Sequence, residues 1–153
     1  MSTCQMTKVR IAPTVPLPYP LFQKVYVDTM HMPFASGFSY IIQACCSLTT
    51  WPKWCTLHSE TGQTLGRFLF EDLLCRWGAV EEIITDNGTA YIAALDWLAN
   101  KYAIQHICIS PYNSRANGIV ECQHWTIREF LFKTCEGNVS KWPATAAHVF
   151  WAN

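Results

Sequence analysis

Charge is scarce in this sequence: only 14% of its 153 residues are Asp, Glu, Lys or Arg. The 11 basic and 11 acidic side chains cancel to a net charge of zero. That excludes a polynucleotide binder working through bulk positive charge, so any such binding must come from a local patch. Long apolar runs are missing too. None approaches the ~20 residues a transmembrane helix needs. The opening stretch MSTCQMTKVRIAPTVPLPYP lacks the apolar core of a secretory signal, so neither a membrane partner nor export is expected. No cysteine pair has CxxC spacing, which removes zinc-ribbon and thioredoxin-type readings. The eight cysteines, at 4, 45, 46, 55, 75, 108, 122 and 135, fall mostly in apolar runs. There a thiol acts as a small hydrophobe rather than as half of a disulfide framework. Without export, the sequons at Asn87 and Asn138 carry no meaning.

What the chain does have is enough apolar material for one core. Half of it is hydrophobic, and seven Trp, eight Phe and six Tyr supply bulk. Residues 1–18 hold Pro13, Pro16 and Pro18 and read as an extended leader or linker; a single domain is expected over 19–153. Loss of that leader is expected to leave stability nearly unchanged. Lys24–Met30 is β-branched and aromatic and predicts a strand; Pro33–Gly37 predicts a turn. Phe38–Ser47 predicts a second strand and, after the break at Trp51-Pro52, Lys53–Leu57 a third, together an antiparallel meander.

The period then changes. Leu65, Phe68, Leu69, Asp72, Leu73 and Trp77 recur at helical spacing, with Ser59 or Thr61 as cap and Gly78 as stop. Glu82–Thr85 predicts a fourth strand ending in the turn Asp86-Asn87-Gly88, residues 91–101 a helix, and His106–Ile109 a fifth strand. Pro111–Gly118, PYNSRANG, reads as a polar loop, Ile119–Cys135 as a long helix, and Ser140 onward as a last helix running to the chain end. The order implies an α/β fold: three antiparallel strands, two more added by crossovers, and flanking helices.

Three carboxylates are oddly placed. Asp28 interrupts an apolar strand, Asp86 closes the fourth strand at its carboxyl end, and Glu121 follows the polar loop near a helix start. Ligands of open α/β sheets gather at such strand ends. A buried lone carboxylate has to be hydrogen-bonded, neutralised or paired. Were the first strand central and the fourth beside it, Asp28 and Asp86 would be neighbours. Three converging carboxylates make a hard-oxygen site suited to Mg²⁺ or Mn²⁺. Two such ions about 4 Å apart activate an attacking hydroxyl and stabilise the leaving oxygen of a phosphodiester. Ordinary turn chemistry also explains an Asp at a strand end, so the residues alone leave both readings open.

Asp28 in VDTM, Asp86 in TDNG and Glu121 in SPYNSRANGIVE resemble the acidic triad of the retroviral integrase catalytic core. From about Tyr19 to Asn153 the chain is similar to that core in Gypsy-like long-terminal-repeat retrotransposons, fungal ones especially. The blocks FEDLLCRWG, ITDNG and ISPYNSRANG carry the likeness, and the 35-position step from Asp86 to Glu121 is close to the family's spacing. The resemblance implies a ribonuclease-H-like fold with a five-stranded mixed sheet. It also implies two bound Mg²⁺ or Mn²⁺ ions, phosphodiester cleavage at element DNA ends, and strand transfer into target DNA. A homodimer or higher multimer acting in the nucleus, with passage through a cytoplasmic particle, goes with that role.

Further positions carry over. Asn87 and Gly88 follow the second Asp in the family motif, with Gly88 expected to supply a positive φ. Pro111, Tyr112, Asn113, Asn117 and Gly118 match the loop before the third carboxylate, where Arg115 stands in place of the usual Gln. Ile119 replaces a frequent Lys, and Cys122-Gln123 a pair that is usually a basic residue then Pro. Glu121, Trp125 and Arg128 share one helix face, so Arg128 is placed to meet a phosphate and Trp125 to stack on a base, unless Trp125 is a packed core aromatic. His124 reads as a surface or core histidine rather than a ligand, for want of a second His or Cys at helical spacing. The family's zinc-binding amino-terminal domain has no counterpart in this sequence, and the last helices of the core are expected to be cut short. Two alternatives stand beside the enzyme: a catalytically silent, co-opted core that binds DNA and dimerises, and a ribonuclease H, against which the loop PYNSRANG argues.

Overall fold

The computed structural model describes residues 19–78, 80–109 and 114–152, with the backbone alone for 114–123; the leader 1–18 lies outside them. The chain forms β1 (Lys24–Ala35), β2 (Phe38–Cys46), β3 (Pro52–Leu57), β4 (Glu82–Thr85) and β5 (Gln105–Cys108). The helices are α1 (Gly62–Phe68), α2 (Cys75–Trp77), α3 (Thr89–Tyr102), α4 (Ser114–Thr134) and α5 (Trp142–Ala152). A π-helical turn, Leu69–Leu74, joins α1 to α2. The five strands make one open mixed sheet in the order β3-β2-β1-β4-β5. β1 and β2 pair antiparallel, as do β2 and β3, whereas β4 lies parallel to β1 and β5 parallel to β4. The meander and the two crossover strands are thus as the sequence order predicts, and β1 is central.

Side chains alternate across β1 and divide the core in two. Val25 and Val27 join Leu65, Phe68, Leu69, Leu73, Tyr91, Leu95 and Leu98 beneath α1 and α3. On the opposite face, Met30 and Met32 join Ile127 and Leu131 of α4 and Cys135 just past its end, with Trp142, Ala146 and Phe150 of α5. Leu65, Leu69 and Leu73 stay on one stripe through the π-helical turn.

The helix signals act as expected at most ends. Thr61 is the N-cap of α1: its hydroxyl accepts the Thr64 amide at 3.3 Å, and the Thr64 hydroxyl accepts the Thr61 amide at 3.1 Å, a closed capping box. Gly78 ends α2 at φ 70°, which glycine adopts without a Cβ penalty.

Two expectations fail. The turn predicted over Pro33–Gly37 is narrower, because β1 runs on to Ala35. Its register against β2 shifts between His31 and Ala35, so Pro33 sits where the ladder is already irregular and its missing N–H costs little. The polar loop is shorter too: α4 starts at Ser114, inside PYNSRANG, so Arg115, Asn117 and Gly118 lie on helical backbone. Glu121 therefore stands two turns into the helix rather than at its start. Glycine in a helix interior costs about 1 kcal/mol, an amount readily offset when Ile127 and Leu131 dock the same helix on the sheet.

Candidate active site

Strand register sets the stretches that carry the first two carboxylates side by side. Val25 pairs with Ile83 and Tyr26 with Ile84; Asp28 and Asp86 each lie two residues further on, and the negative fields of both reach the Tyr91 hydroxyl. Asp28 is held at mid-strand by the β2 pairing, directly opposite the fully buried Gln43. Asp86 caps the carboxyl end of β4 in an exposed turn.

Each carboxylate is oriented by a local amide. Asp28 Oδ1 accepts the Thr29 N–H at 2.8 Å, and Asp86 Oδ1 accepts the Gly88 N–H at 3.0 Å. The turn after β4 is pinned further down as well, since buried Thr85 donates to the Asp86 carbonyl at 2.8 Å and meets His106 Nε2 at 2.8 Å. Burial lowers the pKa of His106, so the neutral imidazole is favoured there. Gly88 adopts φ −65°, not the positive φ expected of it. Space is what glycine provides: a Cβ at this position would stand 3.0 Å from Asp86 Oδ1 and 3.5 Å from the Tyr91 ring.

Helix α4 crosses the same face. His124 Nδ1 lies 3.2 Å from Asp28 Oδ2, with 12% of the imidazole side chain and 33% of the carboxylate side chain exposed. One turn on, Arg128 Nη2 reaches the His31 carbonyl at 3.5 Å. The helix thus follows β1, and the Glu121 backbone lies one turn before His124. The Glu121 side chain is outside what is described, as are those of Arg115 and Asn117 and all of Asn113; Gly118 is placed by its helical backbone. Trp125 is 69% exposed, which rules out the packed-core alternative. Asn87 is exposed in the turn.

Spacing alone missed two features. One is the His124–Asp28 contact, since His124 reads in sequence as a histidine without a role. The other is a chain behind the sheet, in which the buried Tyr91 hydroxyl donates to Thr29 Oγ1 at 3.5 Å and Thr29 donates to Glu60. Burial pushes the Tyr91 hydroxyl well above its ordinary pKa; Thr29 opposes this, and the negative fields of Asp28, Asp86 and Glu60 reinforce it. Thr29 directly follows Asp28, and Tyr91 lies in the first turn after TDNG; those adjacencies were the available signal.

Asp28 and Asp86 carry hard oxygen donors of the kind that Mg²⁺ or Mn²⁺ takes. Among the described residues no group of three His, Cys, Asp or Glu side chains is arranged to hold a metal. No helix among them is long and apolar enough to cross a membrane. The six described cysteines are unbridged; Cys45, Cys46 and Cys135 are buried as small hydrophobes, while Cys75 and Cys108 are exposed.

A family model described as the integrase core domain matches residues 21–114, a span that contains Asp28 and Asp86 and ends before Glu121. The retrovirus-related Pol polyprotein from transposon 412 of Drosophila melanogaster is 26% identical over 124 residues, 79% of this chain and 10% of that protein. The Gag-Pol polyprotein of Walleye dermal sarcoma virus is 26% identical over 144 residues, 93% of this chain and 8% of that one. The Pol polyprotein of Feline endogenous virus ECE1 is 26% identical over 112 residues, 72% of this chain and 11% of that one. The chain therefore spans about a tenth of the length of the relatives it matches.

Proposed function

Because this chain belongs to the integrase core domain family, we propose that it is the catalytic core of a retrotransposon integrase, cutting phosphodiesters at element ends and joining them to target DNA. The family is one of polynucleotidyl transferases that use divalent metals and bind DNA, and the ribonuclease-H-like sheet is the fold it shares. What supports the reading is that Asp28 and Asp86 each stand two residues beyond the Tyr26–Ile84 pair of adjacent parallel strands, with His124 of α4 against Asp28.

In this reading Asp28, Asp86 and Glu121 hold two Mg²⁺ or Mn²⁺ ions. When bound, such ions lower the pKa of an attacking hydroxyl and neutralise charge on the leaving oxygen. The protein's own part is orientation. The Thr29 amide and His124 fix Asp28, and the Gly88 amide fixes Asp86. Asn113, Arg115 and Asn117 lie just ahead of Glu121 in the chain and are assigned to the DNA backbone. Exposed Trp125 stacks on a base or sugar, and Arg128 meets a phosphate. Element ends and target DNA are the partners, a homodimer or larger multimer the working form, and the nucleus the site of action.

The test is Mn²⁺-dependent nicking and strand joining on a branched DNA that mimics an integration intermediate, beside Asp86→Asn. Joining by the wild type and none by the variant supports the reading; equal activity of the two removes Asp86 from the site. The second reading, a silent core that binds DNA and self-associates, is favoured by the neutral surface, on which Lys24, Arg67 and Lys133 are already paired with Glu82, Glu71 and Glu129. It expects a folded protein that shifts branched DNA in a gel without cutting it.

A further inference from the structure

We infer that His124 is a positioning residue, whose ring N–H holds the Asp28 carboxylate in one orientation and registers helix α4 against β1. The inference rests on the metal-site reading above and adds a residue to it.

A carboxylate oxygen only accepts, so in the 3.2 Å contact the hydrogen sits on His124 Nδ1 and Asp28 Oδ2 receives it. The other oxygen, Oδ1, receives the Thr29 amide. With one donor on each oxygen, rotation of the carboxylate about its Cβ–Cγ bond breaks both bonds. Each oxygen keeps a second lone pair, so a cation can join without displacing either donor. The opposite ring nitrogen, Nε2, is buried and has no hydrogen-bond partner among the described residues. The imidazole therefore has one polar engagement among the described residues, and that engagement is with Asp28.

Geometry links this contact to the third carboxylate. His124 and Glu121 are one turn apart on α4 and share a face. Arg128, one turn the other way, touches the His31 carbonyl at 3.5 Å. α4 is thus fastened to β1 at two heights, by His124 at Asp28 and by Arg128 at His31. A slip of the helix along the strand would break the His124 contact and shift the Glu121 backbone relative to Asp28. Partners one shell out from a metal typically contribute 10- to 100-fold in metal affinity.

The variants His124→Asn and His124→Leu separate positioning from packing. Asn carries a donor N–H at the position of Nδ1, two bonds from Cβ; Leu fills the space and donates nothing. Mn²⁺ affinity is read from free Mn²⁺ by electron paramagnetic resonance, with thermal melting as the fold check and Asp28→Asn as the site check. We expect His124→Leu to bind Mn²⁺ about tenfold more weakly, His124→Asn to bind nearly as the wild type does, and Asp28→Asn to lose most binding. Wild-type affinity in His124→Leu overturns the inference and leaves the site intact. Equal weakening in both His124 variants overturns the hydrogen-bond role in favour of shape. Wild-type affinity in Asp28→Asn removes the metal site itself, and the inference with it.

Discussion

The Gly88 amide donates to Asp86 Oδ1 at 3.0 Å, and a methyl group on Gly88 would stand 3.0 Å from that same oxygen. One residue thus supplies both the donor that orients the carboxylate and the room that lets it lie there. Because φ is −65°, alanine meets no backbone strain; it meets the carboxylate. Gly88→Ala is expected to lower Mn²⁺-dependent strand joining about 100-fold, the scale of a 1 Å misplacement, while stability changes by less than about 1 kcal/mol. Full activity in a single-turnover assay of Gly88→Ala would mean that Asp86 need not occupy the position seen.

The α4–α5 layer is held by burial and by long-range polar contacts to β1. Ile127 is fully buried, and the Trp142 indole N–H donates to the Pro33 carbonyl at 2.7 Å. Ile127→Ala should cost about 2–5 kcal/mol. Trp142→Phe strands the Pro33 carbonyl and should cost about 1–3 kcal/mol, before any loss of packing. Urea denaturation followed by circular dichroism measures both; a loss under half a kilocalorie for Ile127→Ala would show α4 to be undocked.

Much of this architecture was legible because local rules and the tertiary fold agree. Glu82–Thr85 is the fourth strand as read, Thr61 is the cap, and Gly78 is the stop. What was not legible depends on partners far along the chain. Pro33 reads as a breaker, yet it sits at a bulge that tolerates it. Asn117 and Gly118 read as loop, yet tertiary docking carries the helix through them. His124 gains its meaning only when β1 arrives beneath α4. Gly88 was singled out by its motif, but the reason lies in a side chain two residues earlier, not in φ.

Burial pushes the Cys45 thiol up to about 11 from an ordinary 9.0, with Gln43 opposing the shift. The folded state therefore favours the neutral thiol: its contribution to stability is whole below pH 9 and is lost as pH rises through 11. Iodoacetamide at pH 8 should modify exposed Cys75 and Cys108 and spare Cys45 until the protein is unfolded, as mapped by mass spectrometry. Rapid native labelling of Cys45 would contradict its placement in the sheet.

Trp125 and Arg128 make separable predictions for DNA. Trp125→Ala should weaken single-strand or branched-DNA binding by about 1–3 kcal/mol with little change in salt dependence. Arg128→Ala should lower the slope of log affinity against log salt by about 1. Fluorescence anisotropy titrations from low to moderate salt measure both. Unchanged affinity in both variants would move the DNA away from this face of α4.

If Glu121 completes a two-ion site with Asp28 and Asp86, as proposed, strand joining depends on its charge, and Glu121→Gln is the substitution to make. The substitution removes one ligand charge while keeping size and helix propensity. The measurement is single-turnover strand joining on branched DNA with Mn²⁺, wild type against Glu121→Gln, both confirmed folded by circular dichroism. Joining by the wild type and none detectable from the variant, at the same melting temperature, is the expected result. Joining at the wild-type rate by Glu121→Gln would remove Glu121 from the site.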